Sequence, residues 1–331
     1  MDNCILVDWF SMTCKGLTKM EALELLGLPN DINFNVTYGF YGYSKRLCFD
    51  GISIHYDHWN VEQDYPMIEL TGQGCRDFET YSSKTFNDLF RLALDTEHFH
   101  VTRLDVAYDD HTGILDINKI VDDTLKRNFV GKLHNGMIVD SFKREVDAWS
   151  VMLGSRSSDL YIRIYDKARE RKINDGRHWI RCETVFKQDR AIEFIRNPLP
   201  LGEKLRGVLH NYLRFVAPHR NDSNKRRWET RKYWTDFLGN VRSISVYTPK
   251  DVEYNLSRLG RYVFKQAGNS IDTYIKCQGL ISFLDELLKR GTKLTVHQKS
   301  LIEQFRHQME DKSVISDSFI DDLQSSGVYK L

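Results

Sequence analysis

Three short runs of this chain carry charged side chains on alternate residues, the spacing that sets them on one side of an extended strand. Residues 101–110 read VTRLDVAYDD, 160–170 read LYIRIYDKARE, and 178–185 read HWIRCETV. Arg103, Asp105, Ala107 and Asp109 share a face of the first run. Arg163, Tyr165 and Lys167 share a face of the second, and Arg181, Glu183 and Val185 a face of the third. If the three strands are neighbours, an acid pair, a tyrosine and several cations meet. A carboxylate pair holds a hard divalent cation, the cation polarises a phosphodiester, and a phenolic oxygen attacks phosphorus to leave a phosphotyrosine. A free phenol titrates near pH ~10, so Lys167, Arg163 or the metal must favour the phenolate. Tyr165 is a better nucleophile than Tyr161 because it sits beside the charged end of its strand. At roughly 3.3 Å per residue, Asp105 and Asp109 stand about 13 Å apart, too far to share one ion. The expected ligands are therefore Asp105 and Glu183, with Asp109 behind them or on the nucleic-acid side.

Two further features bear on the same chemistry. His98-Phe99-His100 has the histidine-hydrophobe-histidine spacing that seats a metal in HUH endonucleases. In an unbroken strand both imidazoles point away from Asp105, so they are not expected to join its ion. Residues 219–234 form the most basic stretch. Arg220, Lys225, Arg226, Arg227, Arg231 and Lys232 outnumber Asp222 and Glu229, and Trp228, Tyr233 and Trp234 are interleaved. Cations neutralise phosphates and rings stack on unpaired bases, so this composition suits single-stranded DNA; a solvated helix face is the plain alternative.

The elements that must position these residues come in an order that occurs twice. A strand at 4–13 is followed by a helix at 18–26, strands at 35–43, 47–56 and 67–71, a break at Gly72-Gln73-Gly74, and a helix at 82–94. The second round has a strand at 99–108, a helix at 116–125, strands at 148–153, 160–166 and 178–185, and a helix from 189. Val7-Asp8-Trp9 takes the place of Leu104-Asp105-Val106. The pattern predicts an α+β fold of duplicated βαβ-type antiparallel-sheet units, followed by a helical C-terminal region. Residues 1–96 would form a DNA-recognition unit, 97–245 a catalytic unit and 246–331 the helical region. In the last of these, Leu280, Ile281, Leu284, Leu287 and Leu288 make an apolar stripe, 296–309 read as another helix, and the tail from 313 is acidic and serine-rich.

Composition sets the outer bounds. With 331 residues, 41% hydrophobic and 12% aromatic, the chain can fill the cores of two or three domains. A net charge of +1 excludes global basicity, so nucleic-acid contact must come from local patches. Six cysteines without a CxxC pair argue against structural zinc and against a disulfide scaffold, leaving core or idle thiols in a reducing compartment. With no basic leader and no 18-residue apolar run, a cytoplasmic protein without a membrane span is expected.

Taken in order, these motifs resemble those of the replication-initiation-factor family. Residues 103–109 (RLDVAYD) look like its RxDxAxD motif, and Ile164-Tyr165-Asp166-Lys167 with Glu170 looks like IY[ND]KxxE. Arg181-Cys182-Glu183 resembles its RxE element, while Val7-Asp8-Trp9 and residues 70–76 (LTGQGCR) resemble its N-terminal pattern. The family comprises initiators of small rolling-circle plasmids, relaxases of integrative conjugative elements and some filamentous-phage initiators. The resemblance, over about residues 4–240, implies a divergent relative of the HUH nucleases in which acidic residues replace the histidine pair. It further implies a sequence-specific nickase using a divalent metal, Mg²⁺ or Mn²⁺, whose tyrosine, here Tyr165, stays on the 5′ phosphate and frees a 3′ hydroxyl. The metal residues would be Asp105, Glu183 and Asp109, and the catalytic ones Tyr165, Lys167 and Arg163. DNA contacts would come from Arg103, Arg181, Lys225, Arg226, Arg227, Arg231 and Lys232. Origin DNA is the implied partner, and recruitment of a helicase or coupling protein and homodimerisation stay open. Two other classes compete: a non-catalytic DNA-binding regulator, and a metal-dependent nuclease that uses water as nucleophile.

Overall fold

The structure, a computed structural model, describes residues 4–133, 135–140, 149–246, 260, 263–264, 267–289, 299 and 302. The chain divides into two units, Met1–Thr248 and Pro249–Leu331.

The first unit is built on one ten-stranded sheet. Its strands are β1 (Cys4–Cys14), β2 (Asn35–Tyr38), β3 (Tyr43–Phe49), β4 (Ile52–His58), β5 (Met67–Leu70), β6 (Phe99–Asp110), β8 (Gly136–Asp140), β9 (Trp149–Leu153), β10 (Leu160–Asp166) and β11 (Ile180–Lys187). They lie in the order β2-β3-β4-β5-β1-β6-β11-β10-β9-β8, and every described pairing is antiparallel. Read outward from the central β1–β6 pair, the two arms repeat one plan: β1-β5-β4-β3-β2 on one side and β6-β11-β10-β9-β8 on the other. A helix follows the central strand in each arm, α1 (Lys19–Glu24) after β1 and α4 (Ile117–Leu125) after β6. The duplication expected from Val7-Asp8-Trp9 and Leu104-Asp105-Val106 is thus written into the sheet order. A separate pair joins β7 (Phe129–Gly131) to β12 (Leu213–Phe215).

One face of the sheet is the core. Phe10, Met12, Ile68, Leu104, Val106, Ile162, Ile164 and Phe186 pack there against α2 (Gly72–Tyr81), α3 (Phe86–Ala93), α4, α6 (Asp189–Arg196), α7 (Leu201–Tyr212) and α8 (Lys232–Leu238). These apolar residues alternate with polar ones, so the opposite face receives the charge. A short turn of helix, α5 (Lys167–Glu170), follows β10. In the second unit, α9 (Gly268–Gln278) and α10 (Leu280–Lys289) form a hairpin about Gly279, whose φ of +84° ends α9. Apart from Lys299 and Ile302, the helix expected at 296–309 and the tail lie outside the described residues.

Three local expectations were incomplete. The run 47–56 is two strands, because Asp50 in the left-handed region turns the chain between β3 and β4. The Gly72-Gln73-Gly74 break is the start of α2. Gly74 serves close packing, since a Cβ there would come within 2.1 Å of the Gly51 carbonyl oxygen. The basic stretch 219–234 is a turn and a short helix, in place of one solvated helix face.

Candidate active site

Strands β6, β11 and β10 are consecutive neighbours, and their registers place the charged residues side by side. Ala107 faces Glu183, Glu183 faces Arg163, Asp109 faces Arg181 and Arg181 faces Tyr165. Tyr165 is buried and its hydroxyl donates to Glu183 Oε2 at 3.1 Å, while Arg163 reaches Glu183 Oε1 at 3.3 Å. Arg103 grips Asp105 with two bonds, Nε to Oδ1 at 2.8 Å and Nη2 to Oδ2 at 2.6 Å. Burial pushes the Asp105 carboxyl up to about 7. Arg103 works against that rise, and the nearby charges of Glu183 and Asp8 add to it.

Tyr165 does not have the electrostatics expected of a ready phenolate. Burial drives its phenol above the ordinary value, and the Glu183 carboxylate charge adds to the effect. The Arg163 guanidinium lies 4.9 Å and the Lys167 ammonium 5.4 Å from the ring centroid, over the π face. Lys167 is itself buried and salt-bridged to Glu170. The geometry therefore offers Tyr165 a proton acceptor, Glu183, more than a cation that would ionise it.

Arg181 is placed differently from the other basic candidates. It is buried, donates to both oxygens of Asp109 at 2.7 Å, and pairs with Asp8 at 2.7 Å. Asp8 reaches it because it is an extra residue in β1: Val7 faces Val106 and Trp9 faces Asp105, leaving Asp8 as a bulge that re-aims its side chain. A second bulge, at Thr102, corrects the reading of the histidines. Val101 and Leu104 both face the core, three residues apart, so the strand is broken and His100 lies on the same side as Asp105. Distance along β6 and a bond to Gln188 keep His100 apart from Asp105, and His98 is held by Asp95.

Sequence reasoning missed one donor set. Ligand atoms of Cys4, Asp109 and His111 lie within 4.8 Å of one another. Cys4 faces Asp109 at the open end of the β1–β6 pair, a register that no spacing reveals. The His111 Nδ1 faces the His178 carbonyl oxygen at 3.3 Å, a contact that orients the ring.

The basic segment is largely self-satisfied. Arg227 forks onto Asp222 at 2.7 Å twice, Arg231 onto buried Asp123 at 3.0 and 2.6 Å, and Lys232 pairs with Asp236. Lys225 caps the Arg127 carbonyl oxygen. Of the five basic candidates in this segment, only Arg226 carries an exposed guanidinium without such a partner among the described residues. Arg226→Ala is accordingly expected to lower the salt slope of single-strand binding by about 0.7, the loss of one phosphate contact, and Arg227→Ala by less. An unchanged slope in a salt titration would remove the segment from the DNA path.

Residues 99–288 match the family described as replication initiation factor (Rep_trans), and residues 4–101 match the rolling circle replication initiation protein N-terminal domain. The chain belongs to the replication initiation factor family. It is 27% identical over 251 residues to "Putative DNA relaxase NicK" of Bacillus subtilis (strain 168), covering 71% of this chain and 70% of that one. Among solved structures, the rolling circle replication initiator protein from Geobacillus stearothermophilus is 29% identical with a TM-score of 0.65. That match covers 75% of this chain and 100% of the other. The α+β sheet described above is therefore the initiator fold, related to the HUH nucleases, and family membership supports initiation by DNA nicking and binding to origin DNA. Among the described residues no helix is long and apolar enough to cross a membrane.

Proposed function

We propose that this protein nicks one DNA strand at a specific site in the cytoplasm through a phosphotyrosine on Tyr165, with Asp105 and Glu183 holding a divalent metal, to start rolling-circle replication or conjugative transfer. The observation that carries this reading is the Tyr165 hydroxyl bonded at 3.1 Å to Glu183, one strand from Asp105. Among the described residues the only three ligand atoms within 4.8 Å of one another belong to Cys4, Asp109 and His111, so Asp105 and Glu183, on the neighbouring strands β6 and β11, would have to close on a hard cation such as Mg²⁺ or Mn²⁺. Arg103 would yield an Asp105 oxygen to it. When bound, the ion supplies Lewis-acid polarisation of the phosphodiester. The chain's own groups do the rest. Tyr165 Oη attacks phosphorus, its proton passes to Glu183, the bond to the 3′ oxygen breaks, and that oxygen leaves with a proton from solvent. Arg163 neutralises charge gathering on the phosphoryl oxygens. Cys4, Asp109 and His111 are a softer set, suited to Zn²⁺.

The deciding experiment incubates the full chain with single-stranded DNA from its own element and Mg²⁺ or Mn²⁺, then maps any SDS-stable adduct by mass spectrometry. The reading expects an adduct on Tyr165 that EDTA abolishes. Cleavage without an adduct would point to water as nucleophile, an adduct on Tyr161 would move the site along β10, and neither product would leave a binding protein. Asp105→Asn and Glu183→Gln are expected to slow nicking by ~10²–10³-fold, several kcal/mol of lost charge stabilisation, with affinity for the same DNA within about twofold. Equal losses of both in parallel nicking and anisotropy assays would count against metal ligation. Cys4→Ser is expected to leave Mg²⁺-dependent nicking intact.

A further inference from the structure

Beside Arg103, on the polar face of the sheet, lies a pocket of about 360 Å³ lined by Trp9, Ser11, Tyr41, Met67, Glu69, Thr102, Arg103 and Lys187. It stands on the β1–β5 pair, outside the residues assigned to nicking except for Arg103, which touches both Asp105 and the pocket. Two of its walls are rings or planes: the Arg103 guanidinium lies 4.2 Å from the Trp9 ring centroid, and Tyr41 is 62% exposed at the β2–β3 turn with φ +59°. Such surfaces accept the flat face of a base.

The polar atoms say what the edge of that base must offer. His55 is wholly buried, and its Nδ1 accepts the Phe40 amide N–H at 3.3 Å. Its proton therefore sits on Nε2, which faces Glu69 Oε1 at 3.4 Å as donor. Glu69 is 4% exposed, and its other oxygen, Oε2, is buried with no hydrogen bond of good geometry; the nearby Tyr41 phenol, pushed up to about 12 by burial and then by the Glu69 charge, is the hydroxyl that a base would displace from it. Trp9 also lines the pocket, and its Nε1–H is buried without a hydrogen-bond partner. A carboxylate oxygen repels phosphate and attracts an N–H donor, while an indole N–H wants an acceptor. A nucleobase with an exocyclic amine beside a ring nitrogen or carbonyl supplies both, and satisfying these atoms recovers the cost of leaving them unmade.

We propose that the pocket formed by Trp9, Tyr41, Glu69 and Arg103 captures one unpaired, amine-bearing base of the DNA strand, making Glu69 a specificity-determining residue next to the nicking centre. This rests on the nickase reading only for the identity of the strand. Lys187 also lines the pocket, with its ammonium donating to the Arg156 carbonyl oxygen.

Homopolymers test it without knowing the register, because every register offers the same base. The full chain is titrated, without metal, with 5′-labelled (dC)12 and (dU)12, two pyrimidines that differ at position 4 in an amine or a carbonyl. Wild type is expected to bind (dC)12 about 5–100-fold more tightly. Glu69→Gln is the sharper test. Its carbonyl oxygen must stay with the His55 donor, so its amide N–H takes the place of Oε2, and the preference should reverse toward (dU)12. Tyr41→Ala, on the exposed turn, keeps the buried pair in case Glu69→Gln misfolds, and is expected to weaken (dC)12 binding about tenfold. Equal affinities, a wild-type preference for (dU)12, or a (dC)12 preference that survives Glu69→Gln in a folded protein would overturn the proposal. The adduct assay stays separate. An adduct without base preference sinks the pocket alone, and base preference without an adduct sinks the nickase alone.

Discussion

Tyr165→Phe is expected to abolish the SDS-stable protein–DNA adduct and slow nicking by at least ~10⁴-fold, the scale seen when a nucleophile is removed from a covalent mechanism. The substitution deletes one oxygen. The ring keeps its place between the Arg163 and Lys167 cations, and the lost bond to Glu183 costs on the order of 1 kcal/mol of stability. Single-strand affinity should therefore stay within about twofold. Gel analysis of the adduct, with an anisotropy titration on the same DNA, separates the readings. A regulator would show no change in any activity it has, and a water-using nuclease would keep cleaving. Tyr161→Phe is the paired control: Tyr161 lies on the same face of β10 but packs with Met152 and Val185 instead of bonding Glu183, so its loss should spare the adduct.

The faces of β10 and β11 were legible because a period of two shows directly in residues such as Arg163, Tyr165, Arg181 and Glu183. The first helix was placed at its Thr18 cap, where Thr18 and Glu21 close a capping box, whereas the helix read at 82–94 starts only after Thr85, whose capping box with Asp88 went unread. What stayed hidden depends on pairing between distant strands. Asp8 and Thr102 are bulges only because β1 and β6 fall out of step, and each bulge changes which side chains share a face. That is why Asp8 joins Arg181, and why the argument that set His98 and His100 aside relied on an unbroken strand. Cys4 looked idle until the register brought it to Asp109. Glu69 gave no signal at all. Its interest lies in one buried oxygen with no hydrogen bond of good geometry, fixed by the His55 tautomer, and no spacing in the sequence encodes that.

Arg181 is the residue for which the basic-means-DNA reading and the structure diverge most, and Arg181→Ala is expected to cost about 3–5 kcal/mol of stability. The guanidinium is the counter-charge for Asp109, which is buried, and for Asp8, and removal strands both carboxylates on the inner sheet. For a unit of this size that corresponds to a Tm lower by roughly 6–20 °C. Arg181→Lys keeps the charge but loses the fork that satisfies both Asp109 oxygens, so it should fall between wild type and Ala. Adding Asp109→Asn to Arg181→Ala should recover part of the loss, because one stranded charge disappears; a DNA contact offers no reason for such recovery. Thermal melts of the three variants without DNA make the distinction. If Arg181→Ala melts like wild type while single-strand affinity collapses, Arg181 faces the DNA. If stability falls and is partly restored by Asp109→Asn, Arg181 holds β1, β6 and β11 in register, so that Asp105, Glu183 and Tyr165 meet on one face.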